Sequence, residues 1–452
     1  MRKVVTAGVI AAALAAAVHV RIAAQAETKT YVLSAGRWSA AQTAAVEAAG
    51  GTVTFSHEGA GVAVATSLNP NFLAEVAAGG LVAQGAEDMM VEWVAPTTSP
   101  EELVTQSDET FANAMWNTTA VDAQGAWSAG CTGQGVRVAI LDGGLHNTHV
   151  DLNGSVDVAR SISFVPGQPF NADTGTFWHG THVAGIVAAR DNGIGTVGIA
   201  PGATIVGVKV LHGGSGSFAA VIQGILYAAT PIAEGGGGAD VINMSLGATF
   251  SKQGGAGPLI GALAKAVNYA DRTGVLVVSA AANNALDLDH SGPYTTVPAE
   301  SGSGIAVSAT GPVGFALGAT NFRRPASYTN YGNSVVWVAG PGGDFVLPGN
   351  AVCTLPRVPS GTITTSCWVF DLVLSTSRGS GASISSYSWA AGTSMAAPAV
   401  SAVAALARQS HPGISLGALK ALLAASADDE GKIGNDPYYG KGFVNARRAC
   451  TQ

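Results

Sequence analysis

Short apolar runs alternate with helix-like segments along most of this chain. Two segments, 219–230 and 259–273, repeat their apolar residues at the spacing of a helix. Strands that are apolar on both faces and joined by helices belong to a parallel sheet covered on both sides. The pattern therefore predicts an α/β fold with a doubly wound parallel sheet. Its expected strands are residues 136–141, 205–211, 241–245, 275–279 and 305–309.

Residues 27–95 carry a separate pattern that predicts a small α+β unit. Ser39 and Gln42 have the spacing of a capping box ahead of an Ala-rich helix, and a second short helix is expected after Pro70. The polar, proline-flanked stretch 96–102 is expected to be a linker. The strands of this unit are expected at 30–34, 52–55, 62–65 and 91–94.

The first 26 residues have the pattern of a signal peptide. Arg2 and Lys3 precede an uncharged apolar run over 4–20, and Ala24 and Ala26 supply the small residues that signal peptidase requires. The alternative is a membrane anchor, because 17 apolar residues are at the short limit for spanning a bilayer. We expect cleavage after residue 26, a secreted (extracellular or periplasmic) product and no later contact with a membrane.

Composition and charge exclude further classes of protein. Of 452 residues, 47% are apolar and 11% are charged, which excludes a disordered chain. The formal charge is −7, and residues 27–105 hold two basic residues against nine acidic ones. The remainder is therefore close to neutral, which argues against a nucleic-acid partner.

The chain has four cysteines, which allow three pairings. An exported protein folds in a compartment that permits disulfides. We favour Cys353–Cys367, because these residues bracket one local loop, and then Cys131–Cys450, which would tie down the end of the chain.

Four polar residues lie where predicted strands end or predicted helices begin. Asp142 and Asn283 follow strand-like runs, whereas His179 and Ser394 each open an apolar helical stretch. A serine hydroxyl becomes a nucleophile when a histidine takes its proton and an aspartate orients that histidine. An asparagine amide and a backbone N–H suit the oxyanion that then forms.

The motifs around these residues resemble those of the subtilisin-like serine proteases, the subtilases. They are VAILDGG around Asp142, HGTHVAGIVAA from His179, NMSLG from Asn243 and GTSMAAP around Ser394. The resemblance covers about residues 116–449. It implies a triad of Asp142, His179 and Ser394, an oxyanion site formed by Asn283 and the Ser394 N–H, and a secreted serine endopeptidase.

The resemblance also implies a domain order and a mode of control. Residues 1–26 are then the signal peptide, 27–105 a ferredoxin-like propeptide and 106–452 the peptidase domain, with a surface excursion over 340–385. The propeptide is expected to assist folding and to act as an intramolecular inhibitor. The expected substrates are polypeptides, and we expect a monomer.

Family members bind peptides as an added strand, with pockets for side chains. The residues that match the first pocket are small or uncharged, so we expect broad cleavage after apolar or uncharged residues. These residues are Ser245, Leu246, Gly247, Ala280, Ala281 and Ala282.

A calcium site is also implied by the resemblance, and no organic cofactor is expected. Oxygen ligands on a tight Gly-containing loop suit Ca²⁺, although an ordinary turn is the alternative. Asn192 would provide a side-chain oxygen. Arg190, Ile194 and Thr196 would provide main-chain carbonyls. The matching residues are Asp151, Arg190, Asn192, Ile194 and Thr196.

Several positions depart from the pattern of the family. Gly143 stands where Ser or Thr is usual, and Ala399 stands where relatives often have His. Ala282 replaces a glycine ahead of Asn283, and it would be strained if that position requires a positive φ. Asn284 is adjacent, so the oxyanion donor is less certain than the triad.

Three alternatives remain open from the sequence. The first is a zinc hydrolase, because two histidine pairs at a spacing of three residues could bind zinc with a carboxylate. The second is a secreted binding protein on an inactive protease fold, and the third is a peptide ligase or cyclase that uses the same acyl-enzyme. The residues of the zinc hypothesis are His146, His149, His179, His182 and Asp142 or Asp151.

Overall fold

The computed structural model describes residues 27–94, 110–346, 349, 351–379 and 385–452, and the backbone of 102–104. The expected signal peptide and most of the expected linker lie outside these residues. In the described part of the chain, no helix is long and apolar enough to cross a membrane.

Helices occur throughout the described residues. In chain order they are α1 (Ala40–Ala48), α2 (Phe72–Ala78), α3 (Trp116–Ala120), α4 (Ala123–Ser128), α5 (His179–Ala188), α6 (Phe218–Ala229), α7 (Gly257–Arg272), α8 (Thr393–Ser410), α9 (Leu416–Ser426) and α10 (Ala446–Thr451). Short 3-10 helices lie at Ala112–Ala114, Ile232–Glu234, Leu288–His290, Phe315–Leu317 and Cys367–Asp371.

The strands of the same residues belong to one large sheet and several small ones. They are β1 (Lys29–Ser34), β2 (Gly51–His57), β3 (Val62–Ser67), β4 (Gln84–Glu87), β5 (Met90–Glu92), β6 (Glu102–Val104), β7 (Arg137–Asp142), β8 (Ile162–Ser163), β9 (Thr204–Lys209), β10 (Ser215–Ser217), β11 (Val241–Met244), β12 (Ala248–Ser251), β13 (Leu276–Ala280), β14 (Tyr294–Val297), β15 (Ile305–Thr310), β16 (Val336–Pro341), β17 (Val352–Pro356), β18 (Thr362–Ser366), β19 (Val373–Ser377) and β20 (Ser386–Ala390).

The large sheet has the order β16-β15-β13-β11-β7-β9-β8, and its strand pairs are parallel. Val138 and Ile140 of β7 belong to the buried cluster that includes α5 and α8, whereas Ala139 and Leu141 face the cluster that includes α6 and α7. The helices thus cover both faces, and the predicted doubly wound α/β fold is confirmed.

The N-terminal unit is an antiparallel sheet of order β2-β3-β1-β4 with α1 and α2 on one face. Ser39 and Gln42 form the expected capping box. The strand β4 was not expected, because its sequence QGAE lacks large apolar and β-branched side chains. The other face of the sheet packs on the peptidase portion, where Val32, Val62 and Val64 join the cluster of α6 and α7.

Both disulfides have the pairing favoured from the sequence, Cys131–Cys450 and Cys353–Cys367. The second ties the ends of the β17–β18 hairpin. One strand within the expected surface excursion over 340–385 is not at the surface. The strand β19 is buried throughout, because its Ser375 and Thr376 hydroxyls donate to the carbonyls of His182 and Thr181 in α5.

Candidate active site

Asp142 and His179 form a buried pair at the carboxyl edge of the large sheet. Asp142 is the last residue of β7 and is 2% exposed, and His179 is the first residue of α5. The Nδ1–H of His179 donates to both carboxylate oxygens of Asp142, at 3.0 and 2.8 Å. The Gly143 N–H also donates to Asp142 Oδ1 at 2.7 Å. Because Nδ1 carries the proton that is donated to Asp142, Nε2 of His179 is the basic nitrogen of the ring.

The surroundings of His179 favour the protonated ring. Burial by itself disfavours the charge, but the carboxylate of Asp142 and, more weakly, the charge of Asp173 outweigh burial and raise the pKa of His179. A histidine held in this way is a stronger base than a free one.

Ser394 lies in the first turn of α8, with 9% of its surface exposed. Its hydroxyl donates to the carbonyl of Ser245 at 3.2 Å, and the Ser245 hydroxyl donates back to the carbonyl of Ser394 at 2.7 Å. The proton of the Ser394 hydroxyl is thus directed at Ser245, and its transfer to His179 requires the hydroxyl to rotate away from that carbonyl. Catalytic hydrogen bonds of this kind commonly tighten only with substrate.

Asn283 is oriented by the residue that precedes Ser394. Its Oδ1 accepts the N–H of Thr393 at 2.9 Å and the Thr393 hydroxyl at 2.8 Å, so its Nδ2 remains available to the cleft. The backbone N–H of Asn284 instead donates to the Asn330 side chain. Ala282 has φ 73°, so the strain anticipated from the sequence is present.

A cleft of about 500 Å³ brings these groups together. His179, Asn283 and Ser394 all line it. Four of the six residues expected at the first pocket also line it, namely Leu246, Gly247, Ala280 and Ala282, whereas Ser245 and Ala281 are buried behind its surface.

The end of the N-terminal unit runs through this cleft. The strand β5 pairs antiparallel with β10, and the N–H of Gly247 donates to the carbonyl of Trp93 at 3.0 Å. Val91 and Val94 line the same cleft as Ser394. The segment 90–94 therefore lies between two peptidase segments as an additional strand.

Trp93 fills an aromatic pocket beside this strand. It is 2% exposed and packs against Phe218 and Phe250, with ring centroids 5.0 and 6.2 Å away, and its Nε1–H donates to the Gly216 carbonyl at 2.9 Å. Sequence reasoning missed this contact. The available signal was a tryptophan in the last apolar run before the expected linker.

Further contacts join the N-terminal unit to α6 and α7. Asp88 Oδ1 accepts the Ala219 N–H at the start of α6 at 3.0 Å. On α7, the Lys265 ammonium donates to the Ala35 carbonyl at 3.0 Å, and the ring of Tyr269 lies 4.3 Å from that of His57.

The residues expected to bind calcium lie together. Asp151 is fully buried, and it accepts the N–H of Thr196 at 2.9 Å and the Asn192 amide at 3.3 Å. Burial raises the pKa of Asp151 to about 6, so its ionised form lacks full compensation. A buried carboxylate on a Gly-containing loop would suit a hard cation such as Ca²⁺, provided that the Asn192 oxygen, which accepts the Ile194 N–H at 3.2 Å, turned toward it. Arg190 and Ile194, on the same loop, would contribute only main-chain carbonyls.

Three of the four histidines of the zinc hypothesis, His149, His179 and His182, have other hydrogen-bond partners. His149 Nε2 and His182 Nε2 each donate to carbonyls of β20, those of Ser386 and Ser388, at 2.9 Å. Burial lowers the pKa of His149 to about 4 and that of His182 to about 3, so both rings are neutral. Among the described residues, no group of three or more His, Cys, Asp or Glu side chains is placed to hold a metal.

Comparison with known proteins identifies the class that this site belongs to. The profile described as "Subtilase family" matches residues 133–442. The chain is 34% identical over 365 residues to M-protease of Shouchella clausii, covering 80% of this chain and 77% of that protein. It is 35% identical over 336 residues to Subtilisin Savinase of Lederbergia lenta, covering 74% of this chain and 97% of that protein.

Solved structures show the same fold. The epidermin leader peptide processing serine protease of Staphylococcus aureus has a TM-score of 0.72 and 20% identity, covering 94% of this chain and 98% of that one. The chain belongs to the subtilase family and is a subtilisin-like serine endopeptidase.

Proposed function

We propose that this protein is a secreted endopeptidase that hydrolyses peptide bonds through an acyl-enzyme on Ser394. The observation that carries the proposal is the buried contact of His179 with both oxygens of Asp142, at the edge of a cleft that Ser394 and Asn283 also line.

Each residue of the site has a defined part in this mechanism. His179 Nε2 takes the proton of Ser394 as the hydroxyl attacks the substrate carbonyl, and Asp142 stabilises the resulting imidazolium. The Asn283 amide and the Ser394 N–H bind the oxyanion. His179 then protonates the leaving amine, and water releases the acyl group by the same route. Hydrolysis gives a free carboxylate, whereas a ligase or cyclase would give a new peptide bond.

The substrate is proposed to bind as segment 90–94 does, as a strand between β10 and Gly247. None of the six peptidase residues expected at the first pocket is charged, which favours apolar or uncharged side chains next to the cleaved bond. The pocket of Phe218 and Phe250 favours an aromatic side chain further from that bond, because it holds Trp93.

We also propose that residues 27–105 act as an intramolecular inhibitor. Segment 90–94 lies in the cleft, and the sheet of the N-terminal unit packs on α6 and α7. A substrate cannot occupy the same strand position until this segment leaves. Secretion, a monomeric state and a structural Ca²⁺ held around Asp151 and Asn192 complete the proposal.

The test compares the full precursor with its Ser394→Ala variant by gel electrophoresis and intact mass spectrometry. We expect the wild type to lose roughly its first hundred residues, while Ser394→Ala keeps the length of the precursor. A peptide substrate with a labelled leaving group then shows whether the product is a free carboxylate or a new peptide bond. If Ser394→Ala shortens and cleaves peptides as the wild type does, the proposed mechanism is wrong.

A further inference from the structure

Gly143, next to Asp142, provides space rather than an unusual backbone conformation. Its φ lies outside the positive region that favours glycine. A Cβ built at this position would lie 2.3 Å from Oδ2 of Asp173 and 3.1 Å from its Cγ. The Asp173 carboxylate therefore occupies the volume that a side chain at position 143 would need.

The Asp173 carboxylate is held in place from two sides. Its Oδ1 accepts the N–H of Thr174 and the N–H of Gly213, each at 2.9 Å. Nδ1 of His212 lies 3.6 Å from the same oxygen, and the side chain of Asp173 is 7% exposed. These contacts thus hold the Asp173 carboxylate against Gly143, the residue that follows Asp142.

Lys209 connects this carboxylate to Asp142. It is the last residue of β9, pairs with Asp142 in the register of the sheet and has a fully buried side chain. Its ammonium donates to the Gly143 carbonyl, and Nζ lies 4.0 Å from Asp173 Oδ1. A buried ammonium requires a nearby negative charge, and removal of one partner of such a pair is costly.

We propose that Asp173 is a positioning residue of the active site: it anchors Lys209, which holds the Gly143 turn beneath Asp142, and its charge supports the imidazolium of His179. This inference rests on the proposed function. It explains why the unusual glycine at position 143 does not loosen the support of Asp142, because Asp173 and Lys209 provide that support instead.

The charges around His179 determine the expected pH dependence. With Asp173 neutralised, the positive charge of Lys209 remains beside Asp142 without its second counter-charge. Protonation of His179 becomes less favourable, so its pKa falls. The activity, which requires neutral His179, then extends to lower pH. The titratable groups that face His179 or Asp173 are Asp142, Lys209, His182 and His212.

The first test measures kcat and KM separately across pH for the mature enzyme and for Asp173→Asn. Active sites are counted with a covalent serine-directed inhibitor. We expect kcat to fall about tenfold, a fraction of the roughly 100- to 10,000-fold that general-base catalysis supplies, with KM nearly unchanged. The acid limb of kcat/KM should shift down by about half a pH unit or more. Asp157→Asn, at a partly exposed turn, should change neither quantity.

A second variant tests the route through position 143. In Gly143→Ser the new side chain displaces Asp173, so it should show the same kcat loss and the same pH shift. The double variant Gly143→Ser/Asp173→Ala should lose no more than Asp173→Ala alone, since both changes act through one contact. If Asp173→Asn does not accumulate as folded protein, Gly143→Ser carries the same readouts.

Two results would overturn the inference. The first is that kcat and the acid limb of the kcat/KM profile are both unchanged in Asp173→Asn. The second is that, in folded variants, the losses of kcat from Gly143→Ser and Asp173→Ala multiply in the double variant. Failure of the proposed function is a separate outcome, because it would appear as activity retained by Ser394→Ala. An inactive Ser394→Ala together with a normal Asp173→Asn overturns the inference alone.

Discussion

Thr393 fixes the side chain of Asn283 through two hydrogen bonds to the same oxygen, one from its backbone N–H and one from its hydroxyl. Because Oδ1 is occupied, the amide Nδ2 is the part of Asn283 that can face the cleft. The residue directly before Ser394 therefore orients the proposed oxyanion donor.

Replacement of Asn283 by Ala should lower kcat by about 100- to 1,000-fold and leave KM nearly unchanged, because an oxyanion donor acts mainly in the transition state. Steady-state kinetics on a peptide substrate gives both values. Thr393→Val keeps the N–H that donates to Asn283, so its loss of kcat should be much smaller than that of Asn283→Ala. Asn284→Ala is the matched control, and a larger loss there than in Asn283→Ala would reassign the donor.

The pocket that holds Trp93 should select aromatic side chains in substrates. Peptides with Trp or Phe at that position should have a kcat/KM about tenfold or more above that of the Ala peptide, because aromatic packing adds to area burial. Phe250→Ala should reduce the ratio of kcat/KM for the aromatic peptides to kcat/KM for the Ala peptide. Tyr294→Ala, on the neighbouring strand and 49% exposed, should leave it unchanged. Equal rates for the Trp and Ala peptides would refute this preference.

Calcium should stabilise the protein more at high pH than at low pH. Burial raises the pKa of Asp151 to about 6, so the folded state binds this proton more tightly than the unfolded chain. The stability due to that proton is present in acid and is lost as the pH rises through about 6. Bound Ca²⁺ requires the ionised carboxylate and would offset this loss.

The measurement is the change of Tm on adding Ca²⁺ to the Ser394→Ala precursor, which avoids autolysis. We expect a larger rise at about pH 8 than at about pH 5. Asp151→Asn should abolish the difference, whereas Asp157→Asn should preserve it. A Tm that is independent of Ca²⁺ at both pH values would exclude the proposed site.

Ala282→Gly should stabilise the protein by about 1 kcal/mol, because a non-glycine residue in the left-handed region costs about 1–2 kcal/mol. Ala282 has φ 73°, and Ala281 beside it is not among the residues with positive φ. Ala281→Gly should therefore destabilise the fold. Urea unfolding in the Ser394→Ala background compares the two, and equal destabilisation would show that the strain at Ala282 is negligible.

The sequence was informative wherever one segment alone determines the structure. Buried parallel strands such as β7 are continuous apolar runs, and the Ser39–Gln42 capping box is local. The strand β19 was mistaken for part of a surface loop, because its Ser and Thr side chains are satisfied by carbonyls of α5, which is distant in sequence. The roles of Asp173 and Trp93 likewise depend on contacts between remote segments.

The Cys131–Cys450 bond joins residues that are 319 positions apart, from the loop after α4 to α10. A single cut anywhere between these two cysteines leaves the two pieces covalently connected. A protease that nicks its own copies would therefore keep its apparent size on a non-reducing gel, gaining only one water for each cut, and would show fragments only after reduction. The migration of such an enzyme on a non-reducing gel does not report how many of its copies carry a nick.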